Sequence, residues 1–340
     1  MDKKIKGLDP QSLLERMKHR SFLTISRLVA KYYLRKPELS ELIFTKYPSF
    51  KGFLVGIINE ISYMLNWTSA IGPKIIAFEV TNHCNLRCAI CPVNTKMKRE
   101  KGFLSFDLYK KVITENPQVE SIMLHHWGEP LLHPEIFDMV RFAHERGIKT
   151  SFYTNGTLLA EKNIDQILDS KLDKITISLD GWDEIYNEIR GVEYKSIEEK
   201  VLNIIEKRTL ANSNLKIEVS MVILKDTEEL VDLFKERWSR LVESVTSQPM
   251  LTYSEGQRSK KCRELWRGNL VVLWDGKVVP CCVDYEGTQI LGNAYKEELK
   301  KIWNGARMKS LRKAHIKGTF RGICSRCSEY QTKRVSQRFE

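Results

Sequence analysis

Eight cysteines fall in two groups, Cys84, Cys88 and Cys91 in one, and Cys262, Cys281, Cys282, Cys324 and Cys327 in the other. The first group, Cys84-Asn-Leu-Arg-Cys88-Ala-Ile-Cys91, can turn three thiolates toward one metal centre. Structural zinc is held by four ligands, so three leave a coordination position open. On a four-iron cluster held by three cysteines, one iron is free to take a small molecule. Zinc completed by His83 or a distant side chain is the alternative that spacing leaves standing. The second group ends in Cys324-Ser-Arg-Cys327 and has two more ligands upstream, enough to close a four-coordinate site for zinc or a cluster.

Composition sets the setting for that chemistry. The chain has 340 residues, 42% of them hydrophobic, room for one large domain and a small appendage. No basic start followed by a short apolar run and a small-residue cleavage site is present, so a cytoplasmic protein with reduced thiols is expected, and metal ligation rather than disulfides. The net charge of +12 is uneven: residues 1–72 carry 12 Lys and Arg against 6 Asp and Glu, residues 73–255 carry 24 against 29, and residues 256–340 carry 19 against 8. Basic flanks suit an anionic partner such as a membrane surface, a phosphorylated substrate or nucleic acid, or serve only solubility.

The elements that must hold the cysteines follow from periodicity. Asp9 and Pro10 open a helical pattern that Pro37 stops. A second helix is expected over Phe53 to Trp67, with Leu54, Ile57, Ile58, Ile61, Met64 and Leu65 on one face; Glu60 and several amides argue against a membrane span, leaving an interfacial helix or one packed on the main domain. From Lys74 short β-rich runs take over, at Ile75 to Val80, Ser121 to His125, Lys149 to Thr154, Lys174 to Leu179, Lys216 to Ile223 and Val245 to Leu251. Amphipathic helices such as Pro134 to Arg146 and Ile197 to Arg208 lie between them. This βαβ alternation predicts an α/β open sheet or barrel with its site at the C-terminal ends of parallel strands. Cys84 to Cys91 directly follows the first strand.

On these residues the sequence resembles the radical S-adenosylmethionine (radical SAM) superfamily, whose signature is Cys-x3-Cys-x2-Cys after strand one. The resemblance implies a partial (β/α)6 TIM-like barrel over residues 73–255, with a helical extension over 1–72. It implies that Cys84, Cys88 and Cys91 hold a 4Fe-4S cluster whose open iron is chelated by the cofactor, and that one electron cleaves the sulfonium to methionine and a 5′-deoxyadenosyl radical, which takes a hydrogen atom from substrate. Further landmarks follow in order. Gly128-Glu129-Pro130 matches the segment that contacts the cofactor's amino group, and Thr154-Asn155-Gly156 ends the third strand near the ribose. Ser178-Leu179-Asp180-Gly181 and Arg190-Gly191 bring Ser178 and Arg190 to the ribose and carboxylate, the latter a natural partner for a guanidinium fork. Two positions depart from the family: Ile90 stands where an aromatic residue is frequent, and Trp127 where a glycine is. His125, His126 and His133 flank this loop as candidate proton donors or as hydrogen-bonded structural histidines.

The order Cys262, Asp275-Gly276, Pro280-Cys281-Cys282, Leu291-Gly292-Asn293, Ile302-Trp303-Asn304 and Cys324-x2-Cys327 resembles the SPASM domain in its shortened, Twitch-type form over residues 256–340. This implies one auxiliary 4Fe-4S cluster on Cys262, Cys281, Cys324 and Cys327, with Cys282 spare. A reducing donor such as ferredoxin or flavodoxin is then expected. Three functions fit: an enzyme acting on a membrane lipid head group or phosphorylated polyol, with peripheral membrane contact through residues 1–72; a maturase of a ribosomally made peptide; and a non-catalytic iron–sulfur or zinc protein that binds nucleic acid, which the cofactor landmarks disfavour.

Overall fold

The computed structural model describes residues 50–250, 258–327 and 335–337. The expected helix from Asp9 to Pro37 lies outside them. Six strands follow one another in space as they do in sequence: β1 (Ile75–Phe78), β2 (Ser121–Met123), β3 (Lys149–Thr154), β4 (Lys174–Ser178), β5 (Lys216–Ile223) and β6 (Ser244–Pro249). Each pairs in parallel with the next. Helices such as Ile136–His144, Glu161–Asp169 and Tyr194–Leu210 make the crossovers. Parallel strands require such crossovers, and they place all the strand C-termini, with their following loops, on one edge.

The sheet does not close on itself, and its two edges are extended differently. Beyond β1 comes β7 (Asn269–Val272), parallel to it, then β8 (Lys277–Val279) and β9 (Gly292–Asn293), both antiparallel. Beyond β6 comes β10 (Val335–Gln337), antiparallel. The cysteine-rich C-terminal segment thus continues the barrel sheet at β1, the strand that leads into Cys84.

Side-chain alternation gives the sheet two unlike faces. Phe152, Ile175, Ile177, Ile217, Val219 and Met221 are buried in one core with Ile164, Ile167, Val201, Phe234 and Trp238 from the covering helices. Each such side chain contributes roughly 1.5–3 kcal/mol by leaving water. The opposite, concave face carries Ser151 and Tyr153 from β3, Lys174 and Thr176 from β4, and Glu218 and Ser220 from β5. The register sets Tyr153 beside Thr176, Thr176 beside Glu218, and Ser178 beside Ser220. Lys174 Nζ lies 3.0 Å from Glu218 Oε2, and Thr176 Oγ1 donates to the same oxygen at 3.2 Å.

The helix expected from Phe53 runs over Phe50–Met64. Its Leu54, Ile57 and Ile58 are buried, so this apolar face is covered by protein rather than offered to a bilayer. The helix and the segment after it are fastened to the C-terminal region. Arg263 pairs with Glu60 at 2.9 Å, Trp266 Nε1 donates to Trp67 O at 2.7 Å, and Trp303 Nε1 donates to Ala70 O at 3.0 Å. Arg312, fully buried and with its guanidinium over the Trp303 ring, donates to Leu265 O and Thr68 O. Among the described residues no helix is long and apolar enough to cross a membrane.

Candidate functional site

Cys84, Cys88 and Cys91 lie on the loop after β1, pressed from three sides by the ends of β2, β3 and β4. From β2 comes Gly128, with φ +108°, a backbone conformation glycine tolerates and other residues resist. A Cβ there would sit 2.5 Å from Thr81 O and 2.7 Å from His83 O. The glycine therefore lets the 126–129 turn lie directly on the chain entering Cys84, and Glu129 N–H donates to His83 O at 2.8 Å. Pro130 then opens the short 3-10 turn Pro130–Leu132.

Glu129 is 1% exposed. One carboxylate oxygen accepts from Thr154 Oγ1 at 2.8 Å and from Leu131 N–H at 3.2 Å; the other accepts from Asn155 N–H at 2.8 Å. Burial pushes its pKa up to about 6 against those hydrogen bonds. Glu129 thus joins the Gly-Glu-Pro turn to the Thr-Asn-Gly turn, and Asn155 in turn places Nδ2 2.9 Å from Asn85 Oδ1 and 3.8 Å from Cys84 Sγ. From β4, Asp180 Oδ2 pairs with Arg190 Nη2 at 2.5 Å while Asp180 Oδ1 accepts from Val222 N–H. Arg190 Nη1 reaches Cys88 Sγ at 3.9 Å. The six candidate cofactor residues, Gly128, Glu129, Pro130, Asn155, Ser178 and Arg190, accordingly meet at one strand edge, three of them within one or two contacts of a cysteine.

The histidines separate on inspection. His133 is buried, with Nε2 on Leu104 O and Nδ1 accepting from Glu135 N–H, so it is a structural hub. His126 stands between Glu79 and the carbonyl of Cys282. His125 rests against the Tyr153 ring at 4.6 Å and keeps a buried Nδ1 without a hydrogen-bond partner; burial holds its pKa down at about 3. Ile90 is half-buried in the cysteine loop, and Trp127 Nε1 donates to Cys282 O at 3.0 Å.

The second group draws together Cys262, Cys281, Cys324 and Cys327, whose sulfurs act on one another electrostatically. Cys282 is exposed. Arg258, 6% exposed, donates from Nη2 to Cys327 Sγ at 3.1 Å, and His315 Nδ1 accepts from Cys262 N–H at 3.2 Å. Sequence reading missed both, since neither belongs to a motif.

It also missed the joint between the groups. Glu79 follows β1, has a fully buried side chain, and accepts from Arg99 through both oxygens, from His126 and from Trp274 N–H. Burial alone would raise its pKa, but hydrogen bonds from His126 and Arg99 outweigh that and hold it below the ordinary value. Arg99 Nε donates to Tyr285 O at 2.6 Å, and His126 Nε2 lies 3.1 Å from Cys282 O. One buried carboxylate therefore braces the loop of Cys281 against the loop of Cys91. The signal in the sequence was a lone Glu closing the apolar run Ile75-Ile-Ala-Phe.

Both donor sets suit iron–sulfur clusters. Burial raises the thiols of Cys84 and Cys262, takes Cys91 to about 11 and Cys324 to about 12, and lifts Cys281 well above its ordinary value. Thiolates at such positions need a positive counterpart, which bound iron provides. Among the described residues no three His, Cys, Asp or Glu side chains are placed to hold a single metal ion. A four-iron cluster takes each cysteine on a different iron, so its ligands stand apart.

Comparison with known proteins agrees with this geometry. Residues 78–237 match the Radical SAM superfamily and residues 262–328 the SPASM iron–sulfur cluster-binding domain, in the order of the two cysteine groups. A tungsten-containing aldehyde ferredoxin oxidoreductase cofactor-modifying protein of Pyrococcus furiosus is 33% identical over 110 residues, 32% of this chain and 31% of that one. The chain thus spans about a third of the length of the first curated relatives it matches. An S-adenosyl-L-methionine-dependent 2-deoxy-scyllo-inosamine dehydrogenase of Niallia circulans is 23% identical over 78% of this chain and 96% of its own. The crystal structure of BtrN in complex with AdoMet and 2-DOIA shares the fold, with a TM-score of 0.53 and 19% identity over 76% of this chain and 94% of that one. Two family models in register with two thiol sites, together spanning about two thirds of the sequence, place this chain in the radical SAM superfamily of enzymes, with S-adenosylmethionine and iron–sulfur clusters as its cofactors and a SPASM domain at its C-terminal end.

Proposed function

We propose that the chain dehydrogenates a small polyhydroxylated substrate held against the concave face of the sheet. When bound on the first cluster, S-adenosylmethionine supplies a 5′-deoxyadenosyl radical that takes up one hydrogen atom. Cys84, Cys88 and Cys91 hold that cluster, and the loop around Glu129 and Asn155 keeps them in place. Gly128, Pro130, Ser178 and Arg190 frame the cofactor. Cys262, Cys281, Cys324 and Cys327 hold the auxiliary cluster. A carbinol that loses a hydrogen atom, a hydroxyl proton to solvent and one electron becomes a carbonyl.

The observation that carries this reading is the concave face itself. Ser151, Ser178 and Ser220 stand on this face in adjacent rows beside the Lys174–Glu218 pair and the Thr176 hydroxyl that Glu218 accepts, a polar surface on which a hydroxylated substrate finds partners and an apolar one does not. Lys174 is already paired with Glu218, which favours hydroxyl or amino groups over a phosphate at that depth. The likeness to the inosamine dehydrogenase, extending over nearly all of that protein, supports the same substrate class. Of the two substrates expected from sequence, a membrane lipid head group and a phosphorylated polyol, this reading keeps the polyol and drops its phosphate. The membrane lipid head group depends on the basic residues before position 50, outside the described structure.

The test is transfer of deuterium into 5′-deoxyadenosine, read by mass spectrometry after anaerobic incubation with carbon-deuterated inositol, deuterated amino-cyclitols and deuterated glycerol, a flavodoxin serving as electron donor. Label carried by one of these supports the reading, and Ser220→Ala, on the open side of β5, should lower it. Label transferred only from a deuterated peptide would replace the reading with peptide maturation, and transfer only from vesicles containing a deuterated head group would restore the lipid substrate.

A further inference from the structure

We propose that Arg258 is a positioning residue that holds a fixed positive charge on the auxiliary cluster and thereby raises its reduction potential. The inference rests on the reading of Cys262, Cys281, Cys324 and Cys327 as its ligands. Arg258 is buried, and its backbone N–H is tied to Ser325 O at 3.0 Å, within the turn that separates Cys324 from Cys327. Nη1 donates to Lys260 O at 3.3 Å, which orients the guanidinium plane. Nη2 is thereby left to donate to Cys327 Sγ at 3.1 Å, short for a nitrogen-to-sulfur hydrogen bond. The guanidinium thus contacts one ligand sulfur, that of Cys327, with Cys262 and Cys324 within its electrostatic reach.

Hydrogen bonds to ligand sulfur and the net charge near a cluster are the protein's main means of setting its potential. A cation held on the sulfur stabilises the reduced state, which carries one more negative charge, and does so strongly where water is excluded. The first site differs on this point: its arginine, Arg190, pairs with Asp180 at 2.5 Å and meets Cys88 Sγ only at 3.9 Å. The contact of Arg258 with Cys327 thus makes the C-terminal cluster easier to reduce than the same cluster without it. It is suited to take the single electron that leaves the substrate and pass it to a one-electron carrier protein. A direct role in ligating substrate would need an open coordination position, which a four-cysteine set does not offer.

The experiment isolates this cluster by placing Arg258→Gln and Arg258→Lys in the full chain already carrying Cys84→Ala, Cys88→Ala and Cys91→Ala. After anaerobic reconstitution, iron is counted and the midpoint potential is measured by paramagnetic resonance during dithionite titration, without substrate. The expected result is unchanged iron with Arg258→Gln shifted negative by at least tenfold in the reduction equilibrium, 59 mV for one electron, and with Arg258→Lys in between. An unchanged potential at full iron content would overturn the proposal. So would loss of the cluster from both variants, since Arg258 would then be a structural part of the site. Because no substrate is present, failure of the polyol reading leaves this result intact.

Discussion

The first cysteine site takes three thiols from eight consecutive residues, whereas the second gathers four from residues 262 to 327. The difference extends to their surroundings. The first is a single loop held by contacts from two strand ends through Gly128, Glu129 and Asn155, with Arg190 reaching Cys88 from beyond the third. The second closes around segments tied by side chains: Arg258 to Cys327, and His315 to the Cys262 backbone. A site built on one loop can leave an iron open to a cofactor without losing its ligands. A site assembled from separate segments is suited to shielding its cluster and fixing its charge. On the proposed ligand sets, one cluster would have a reactive position and the other a controlled environment, with Glu79 joining the two loops.

Removal of the loop thiols tests the contrast most strongly. Alanine at Cys84, Cys88 and Cys91 should abolish 5′-deoxyadenosine formation while lowering iron from about eight to about four per chain. Iron analysis and paramagnetic resonance check it, and zinc in place of iron would break the comparison outright. The next effect is purely geometric. Gly128→Ala puts a methyl against two carbonyl oxygens that cannot turn away, so the chain entering Cys84 must shift. 5′-Deoxyadenosine formation should fall on the order of 10²-fold, the cost of misplacing reacting groups by about 1 Å. The auxiliary cluster's iron should be retained, because its four cysteines stand outside the 126–129 turn and the turn reaches them only through the carbonyl of Cys282.

What was legible beforehand follows the range of the contacts. Cys84, Cys88 and Cys91 could be read because three ligands sit within a few residues of a strand end, and β3 and β5 because their alternation of buried and open positions is strictly local. The pairing of β1 with β7 joins residues 75–78 to residues 269–272, and nothing in either segment specifies that partner. The sheet therefore continues across the expected boundary between residues 255 and 256. Arg258 counted as one of 19 basic residues in a charged flank, and its value lies in meeting Cys327, 69 residues away. Chemistry carried by consecutive residues is visible in a string, while a residue that tunes it from a distance needs the fold.

Glu79 is where the two sites are coupled, and its loss should be felt as stability. In Glu79→Gln a neutral amide faces Arg99 and His126 in a buried setting, a change that costs about 3 kcal/mol when one partner of a buried pair is removed. At neutral pH thermal unfolding should move down by roughly 6–12 °C. The pH dependence fixes the sign. The folded-state pKa of Glu79 lies below the unfolded value, so its contribution is present above about pH 4.5 and is lost as pH falls through the lower folded value. The variant should therefore show a shallower acid-side decline than the wild type. An unchanged acid limb in the variant would mean that Glu79 is not what holds the sites together.

The smallest effect is expected at Cys282, and it decides which of two adjacent cysteines is the ligand. Its neighbour Cys281 is half-buried and within electrostatic reach of Cys262 and Cys324, while the Cys282 residue is exposed and its carbonyl is held by His126 and Trp127. Both of these contacts are made by its backbone carbonyl, which a serine keeps. Cys282→Ser should leave iron content, both cluster signals and thermal unfolding unchanged, within about 0.5 kcal/mol for an exposed position. Cys281→Ser should lose the auxiliary cluster. If the two outcomes were exchanged, the ligand would be the residue whose carbonyl His126 already grips, and the contact between the barrel and the second cluster would be one bond shorter than drawn here.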